Sequence, residues 1–303
     1  MGRRVSVRRV IDREPDGRLR LGDVVGELAG LDAQTAVVET RGGLVEVPIA
    51  LVTAARLAPP STGDELALEA VAAQCLQPAE TYGLGGWTLR ADSGFTRRAN
   101  SALPLRQPGL PLDEMLGRAH GWYARRGLPL RIQVPVESRR LLDAALGERG
   151  WPAEDQTHLY AARLDALTAT ANEPAPVTVS AQPDNEWLAL YRGGAGLEAP
   201  ARDLLTRHFH VGFASVRVDG RTVAVGRGTV DQGWLGVMAV EVDPAYRRHG
   251  FAAALMAQLW EWGRARGAAR SYLTVLAENT AAVSLYEKLG YWVHHDYHYR
   301  SEP

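Results

Sequence analysis

The first 58 residues carry their apolar side chains in short alternating runs, at 5–11, 18–28, 35–39 and 44–48, rich in Val and Leu. A period of two predicts half-buried strands. Thr40-Arg41-Gly42-Gly43 supplies a hairpin turn, because glycine tolerates the positive φ that a tight loop requires. The expected product is a small all-β barrel over residues 1–58, and the Pro- and Gly-containing run 58–63 reads as a linker.

The pattern then changes to mixed elements. Residues 64–165 predict a helix at 64–76, strands at 86–91 and 95–102, a helix at 112–125, a strand at 130–134, a helix at 138–148 and a strand at 156–162. Residues 168–176 are a second linker by composition. Residues 177–303 predict a strand at 177–180, helices at 184–191 and 199–206, and strands at 212–218, 222–230 and 234–242. A helix at 252–266, a strand at 271–276, a helix at 280–289 and a strand at 291–299 follow. Asp219-Gly220 marks a hairpin between two of these strands.

The two mixed segments echo each other. Trp122, Arg126, Gly127, Gly150 and Trp151 recur 140 positions later as Trp262, Arg266, Gly267, Gly290 and Tyr291. With the matching order of elements, this predicts a duplicated unit.

The sharpest chemical signal lies in one copy. Val240-Glu241-Val242 ends a strand at Asp243-Pro244; Arg247, Arg248, His249 and Gly250 form a basic turn; a helix opens at Phe251 and Ala252. Proline stops the ladder and glycine lets the backbone bend. A helix opening on such a turn offers unpaired N–H groups and the positive end of its dipole, which suits a phosphate or pyrophosphate. At the corresponding place the first copy has 104–111, Pro-Leu-Arg-Gln-Pro-Gly-Leu-Pro, without this pattern, and Leu146 stands where the second copy has Tyr286.

The basic turn, with Glu278-Asn-Thr-Ala-Ala-Val-Ser-Leu-Tyr-Glu-Lys-Leu-Gly-Tyr291 downstream, resembles the GNAT N-acetyltransferase superfamily. The likeness is strongest over 210–300 and implies an α/β (α+β) fold, a mixed sheet flanked by helices. It further implies a catalytic domain at 177–303 after a degenerate GNAT-like domain at 64–165. The leading module looks like an SH3-like barrel. The layout is similar to tandem GNAT proteins such as the mycothiol synthase family, and to actinobacterial GNAT proteins built as barrel, degenerate half and active half.

By position, the resemblance implies acetyl-CoA as co-substrate and an N-acetyltransferase acting on a small-molecule or peptide amine. Val240 and Val242 would pair with the pantetheine arm. Arg247, Arg248, His249, Gly250, Phe251 and Ala252 would hold the pyrophosphate, and Asn279 would touch the CoA arm. Tyr286 would protonate the leaving thiolate; packing beside Leu285 and Leu289 is its alternative. Glu241, pointing to the opposite face from Val240 and Val242, is the candidate general base, with a partly solvated strand position as its alternative. Trp234, Tyr191 and Arg192 are candidates to line the acceptor pocket. With no cysteine near the motif, direct transfer in a ternary complex is expected. The rival reading is a non-catalytic acyl-CoA sensor or scaffold.

Composition narrows the picture modestly. The net charge of −1, 46% hydrophobic and 23% charged residues describe an ordinary globular chain with no bulk attraction to nucleic acid or membrane. There is no apolar run of about 18 residues to span a bilayer and no apolar signal core. The single cysteine, Cys75, excludes an internal disulfide and points to a reducing, cytoplasmic setting. The Arg-rich start has interspersed acids and reads as solvated surface rather than a nucleic-acid face. His294, Asp296 and His298 share one face of the last strand; a solvated polar edge is expected there, not a metal site. The acceptor and the oligomeric state stay open.

Overall fold

The protein, described by a computed structural model over residues 2–168, 176–194 and 199–303, divides into two compact units, Met1–Ser61 and Thr62–Pro303. The second linker expected at 168–176 lies almost entirely outside the described residues.

The first unit contains β1 (Arg4–Arg13), β2 (Leu19–Leu31), β3 (Thr35–Thr40), β4 (Gly43–Pro48) and β5 (Val52–Leu57). They form one antiparallel sheet in the order β4-β3-β2-β1-β5. Alternation does what the sequence implies: Val5, Val7, Ala36, Val38 and Val47 face inward as a small core.

The second unit begins with α1 (Thr62–Gln74), β6 (Glu80–Leu84), β7 (Trp87–Ala91), β8 (Ala102–Leu103), α2 (Leu112–Ala124), β9 (Arg131–Pro135), α3 (Arg140–Glu148) and β10 (Ala153–Arg163). It continues with β11 (Val177–Ser180), α4 (Asn185–Leu190), α5 (Ala199–Thr206), β12 (Val211–Val218), β13 (Arg221–Asp231) and β14 (Trp234–Val242). It ends with α6 (Phe251–Arg264), β15 (Arg270–Leu276), α7 (Thr280–Lys288) and β16 (Trp292–Ser301).

All eleven strands of this unit join one sheet, ordered β11-β12-β13-β14-β15-β10-β16-β9-β8-β7-β6. The last strand of each half lies in the other half's place. β10 inserts beside β15, while β16 pairs with β9. The two exchanged strands pair antiparallel with each other. One parallel pair stands on each side, β14 with β15 and β8 with β9. The expected division between 165 and 177 is thus a division of the sequence, crossed by strands in both directions.

The echo is visible atom by atom. Arg126 lies over the Trp122 ring at 3.7 Å and Arg266 over Trp262 at 4.3 Å. Each guanidinium also donates to its own tryptophan carbonyl. The Trp151 N–H donates to Leu146 O as the Tyr291 N–H donates to Tyr286 O, so Leu146 and Tyr286 are equivalent positions.

Two expectations change. Residues 95–102 are mostly loop rather than strand, because Asn100 closes the chain on itself. Its Oδ1 accepts from the N–H groups of Asp92 and Gly94, and its Nδ2 donates to the carbonyls of Asp92 and Thr96. A side chain that satisfies four backbone groups offers an alternative to the ladder. The second change concerns β16, which is no solvated edge but an inner strand. His295, Tyr297, His298 and Tyr299 are buried. His294, Asp296 and His298 go to separate partners: His295, His158 and Asp143. Burial holds His294 neutral, with its pKa pushed down to about 3.

If the exchange fixes the fold, residues 177–303 expressed alone lack β10 and leave β15 with an open edge. They are expected to aggregate and to show no cooperative thermal transition by circular dichroism. Co-expression with residues 62–165 should restore a soluble complex with one transition.

Candidate acetyl-CoA and acceptor site

The site is built where β14 and β15 part. Their parallel pairing runs from Trp234–Arg270 to Val237–Leu273 and stops, although β14 continues to Val242 and β15 to Leu276. Residues 235–237 are buried and 238–242 are only partly so. On its other side β14 stays paired with β13, with one irregularity: Ala239 and Val240 together face the single Gly226, and Ala239 takes φ +56°. This bulge resets the alternation. Met238 and Ala239 pack with side chains of the opposite face, Val240 and Val242 pack with Leu235 and Val237 on the α6 face, and Glu241 lies between them in register with Val225.

At the end of β14 the Asp243 side chain caps a short turn, accepting from the Ala245 N–H at 3.0 Å, and receives Arg221 at 2.7 Å. The chain then runs exposed through Arg247, Arg248, His249 and Gly250. Arg248 and Gly250 both have positive φ, +69° and +82°. For glycine that conformation is free of Cβ strain; for arginine it is costly. Gly250 is the N-cap of α6, and its carbonyl accepts the first helical bond from Ala254. The N–H groups of the first turn have no intrahelical acceptor, and no acidic residue occupies that turn. Arg247 Nε turns back to Val242 O at 3.4 Å, and the His249 ring contacts Tyr246 O through Nδ1 at 3.2 Å. The sequence-predicted residues 247–252 therefore form one open, cationic helix start directly after the bulged strand.

The first half differs at the matching place. A Cβ built on Gly85 or Gly86 would lie 1.9 Å from Pro108 O or 2.1 Å from Gln107 O, so the 104–111 segment is pressed onto the β6–β7 turn. Helix α2 begins after Pro111 with Asp113 and Glu114 in its first turn. Two carboxylates there oppose a phosphate.

Tyr286, on α7, is buried in the α6-side core, 8% exposed, with ring centroids 6.5 Å from Tyr160 and 6.1 Å from Tyr291. Its hydroxyl has no hydrogen-bond partner among the described residues. Burial pushes its pKa up to about 12, so it stays a proton donor at neutral pH. Asn279 is exposed and caps α7, its Oδ1 accepting from the Ala282 N–H at 3.2 Å. Glu241 Oε2 accepts the Arg192 N–H at 2.8 Å, where Arg192 itself has φ +53°. Tyr191 is buried against Trp187. Trp234 sits at the closed end of the β14–β15 pair, against Tyr272 and under Arg270, and is not brought to Glu241.

The face opposite α6 and α7 holds residues the sequence did not flag. The Asn100-closed loop of the first half reaches the second half's strands there. Phe95 and Ala99 pack with Met238 and Leu204, and the Arg192 guanidinium lies over Phe95 at 4.9 Å. Arg98 donates to Thr274 Oγ1 at 2.6 Å, the first β15 residue past the parting. Arg227 is fully buried, donating to Leu205 O, Met238 Sδ and Cys75 O. Burial pushes its pKa down to about 10, still charged at neutral pH. Cys75, just after α1, is buried and bonded by the Tyr272 hydroxyl. Nothing in the second half's sequence announces Arg98, which arrives 176 residues earlier in the chain.

The overall arrangement is that of solved GNAT proteins. A GCN5-related N-acetyltransferase from Kribbella flavida superposes with a TM-score of 0.60 at 20% identity, over 78% of this chain and 95% of that one. A tandem GNAT protein from the clavulanic acid biosynthesis pathway gives 0.53 at 14%, over 82% and 89%. The sequence comparisons go further. The family model described as "Probable histone acetyltransferase Rv0428c C-terminal" matches residues 62–300. The probable histone acetyltransferase Rv0428c of Mycobacterium tuberculosis is 31% identical over 319 residues, covering 99% of this chain and 94% of the relative. The uncharacterized N-acetyltransferase YobR of Bacillus subtilis is 28% identical over 225 residues, covering 72% and 90%. The chain belongs to the GNAT N-acetyltransferase family, in the group of the Rv0428c C-terminal model. It is accordingly an acyltransferase, and the family's co-substrate is acetyl-CoA. Among the described residues no helix is long and apolar enough to cross a membrane.

Buried phenols make the fold sensitive to alkali. Tyr123 and Tyr286 ionise near 12 in the fold, through desolvation, against about 10 when exposed. The fold favours their neutral form, so this stabilisation is complete below pH 10 and is lost as pH rises from 10 to 12. The loss is on the order of 1.4 kcal/mol per residue per unit. Absorbance at 295 nm and circular dichroism should change together in that interval; tyrosine ionisation completed near pH 10 with the fold intact would contradict the burial.

Proposed function

We propose that residues 177–303 hold a single acetyl-CoA site and transfer the acetyl group directly to a primary amine. The observation that carries this reading is the parting of β14 from β15 on the strand that leads into the open N-terminus of α6. The unpaired edge of β14, with Val240 and Val242, takes the pantetheine amides as a further strand would. Arg247, Arg248, His249, Gly250, Phe251 and Ala252 receive the pyrophosphate, mostly through main-chain N–H groups. Asn279 keeps α7 in place beside the arm. The co-substrate supplies the activated acyl group; the chain supplies position and protons.

Tyr286, protonated to about pH 12, gives its proton to the departing thiolate. Glu241 accepts the proton of the incoming ammonium, directly or through water. Its Oε2 is held by the Arg192 N–H, which fixes the carboxylate at the edge of the opposite face. The tetrahedral carbon forms one C–N bond and loses one C–S bond. No acyl-enzyme is invoked, since Cys75 is buried and hydrogen-bonded to Tyr272. The opposing acids of α2 support one site per chain.

Calorimetry with acetyl-CoA tests the binding step. Wild-type protein should bind with unit stoichiometry, and Gly250→Glu should not, because it sets a carboxylate and a strained Cβ at the anion site. Absence of wild-type binding at millimolar ligand would overturn the reading.

Glu241→Gln retains an acceptor for the Arg192 N–H, so the fold should persist while kcat falls about 10²-fold or more. Tyr286→Phe should lower kcat by a comparable factor with a melting temperature close to wild type, because its hydroxyl has no bond to lose. An unchanged rate in either variant removes that residue's role.

A further inference from the structure

Glu241 is held by a bond whose donor is itself under constraint. The Arg192 N–H that reaches Glu241 Oε2 at 2.8 Å belongs to a residue with φ +53°, followed by Gly193 at +61°. Glycine takes this conformation freely. A residue with a Cβ takes it at a cost, and stays there only where its surroundings over-determine it. The kink directly follows α4, and it turns the Arg192 N–H toward β14. The side chain supplies the constraint: the guanidinium lies over the Phe95 ring at 4.9 Å and over the Tyr191 ring at 5.7 Å.

Phe95 is the part of this arrangement that comes from the other half. Its loop is closed by Asn100, which satisfies backbone groups of Asp92, Gly94 and Thr96 on either side of it. Its own N–H donates to Asp92 O at 3.4 Å. The ring packs against the cluster of Trp187, Tyr191, Phe213 and Val225. Val225 stands in register with Glu241, and the bulge residue Ala239 packs on the same cluster. Tyr191 is the neighbour of Arg192 in the chain and moves with it, whereas Phe95 ties the guanidinium to a separate segment. One ring is thus fixed by the first half's loop and faces the cation whose backbone holds Glu241.

We propose that Phe95 is a positioning residue for the general base: by holding the Arg192 guanidinium it fixes the Arg192 N–H, and through that bond the Glu241 carboxylate. The inference rests on the assignment of Glu241 as the base, made above, and adds the first half's part in it. An aromatic face attracts a guanidinium through its quadrupole, a contact that an aliphatic side chain of similar size does not supply. With that contact gone, Arg192 is free to leave its strained φ, and the carboxylate loses the donor that orients it. The placement of a catalytic group enters the rate of the chemical step directly. The residues assigned to acetyl-CoA lie outside this chain of contacts, so co-substrate binding does not depend on it.

Two measurements on the full chain test it. Deuterium exchange, read by mass spectrometry on a peptide spanning 187–193, follows the Arg192 N–H without any acceptor. That amide should be protected in the wild type, exchange about tenfold faster or more in Phe95→Leu, and stay protected in Phe95→Tyr, which keeps the ring. Turnover is read as CoA release from acetyl-CoA, with whichever of lysine, putrescine and a lysine-containing peptide reacts fastest as the amine. Phe95→Leu should lower kcat about threefold or more and leave the calorimetric Kd for acetyl-CoA unchanged, and Phe95→Tyr should restore the rate. In a Glu241→Gln background Phe95→Leu should slow the reaction no further, because the base it positions is gone. A purely structural role would slow both backgrounds alike. Unchanged exchange in Phe95→Leu, or a full further loss of rate in the Glu241→Gln background, overturns the proposal. A full rate in Glu241→Gln itself is instead the failure of the base assignment.

Discussion

Reciprocal exchange of one strand is the constraint on which the larger unit depends. β10 completes the second half's sheet and β16 completes the first half's. A strand edge leaves a row of unpaired backbone groups, so neither half is finished alone. The exchange also decides where polar side chains go. His295, His298 and Asp143 find their partners only because β16 runs through the interior beside the first half.

The same exchange ties the first half to the strands of the second. Its helix α2 opens on two acids and its loop is pressed against a Gly-Gly turn, so the open, acid-free helix start of α6 is not repeated there. What it contributes is the Asn100-closed loop, which places Phe95 and Arg98 against Met238 and Thr274. The open helix start and the wall opposite it thus come from different copies of one duplicated unit.

Much of this was legible in the sequence. The basic turn, Gly250 and the helix after it are local, because φ preference, proline and the helix dipole act over a few residues. The spacing of the echo also survived into structure, since Trp122 and Arg126 repeat the geometry of Trp262 and Arg266 through contacts within one turn of helix. The position of Trp234 was legible only in part. Its place on the right strand was correct, but it stands at the closed end of the pair, and only the register between β14 and β15 reveals which end is open.

By itself, then, the sequence determined the family, the duplicated order of elements and the basic turn that opens α6, because each is written in short-range preferences or in matched spacing. The bulge at Ala239, the strand exchange, and the meeting of Arg98 with Thr274 were decided by tertiary structure. Their physical cause is non-local. A bulge depends on what Gly226 faces, a strand's neighbours depend on which edge is left open, and a charge from one half acquires meaning only against the strands of the other.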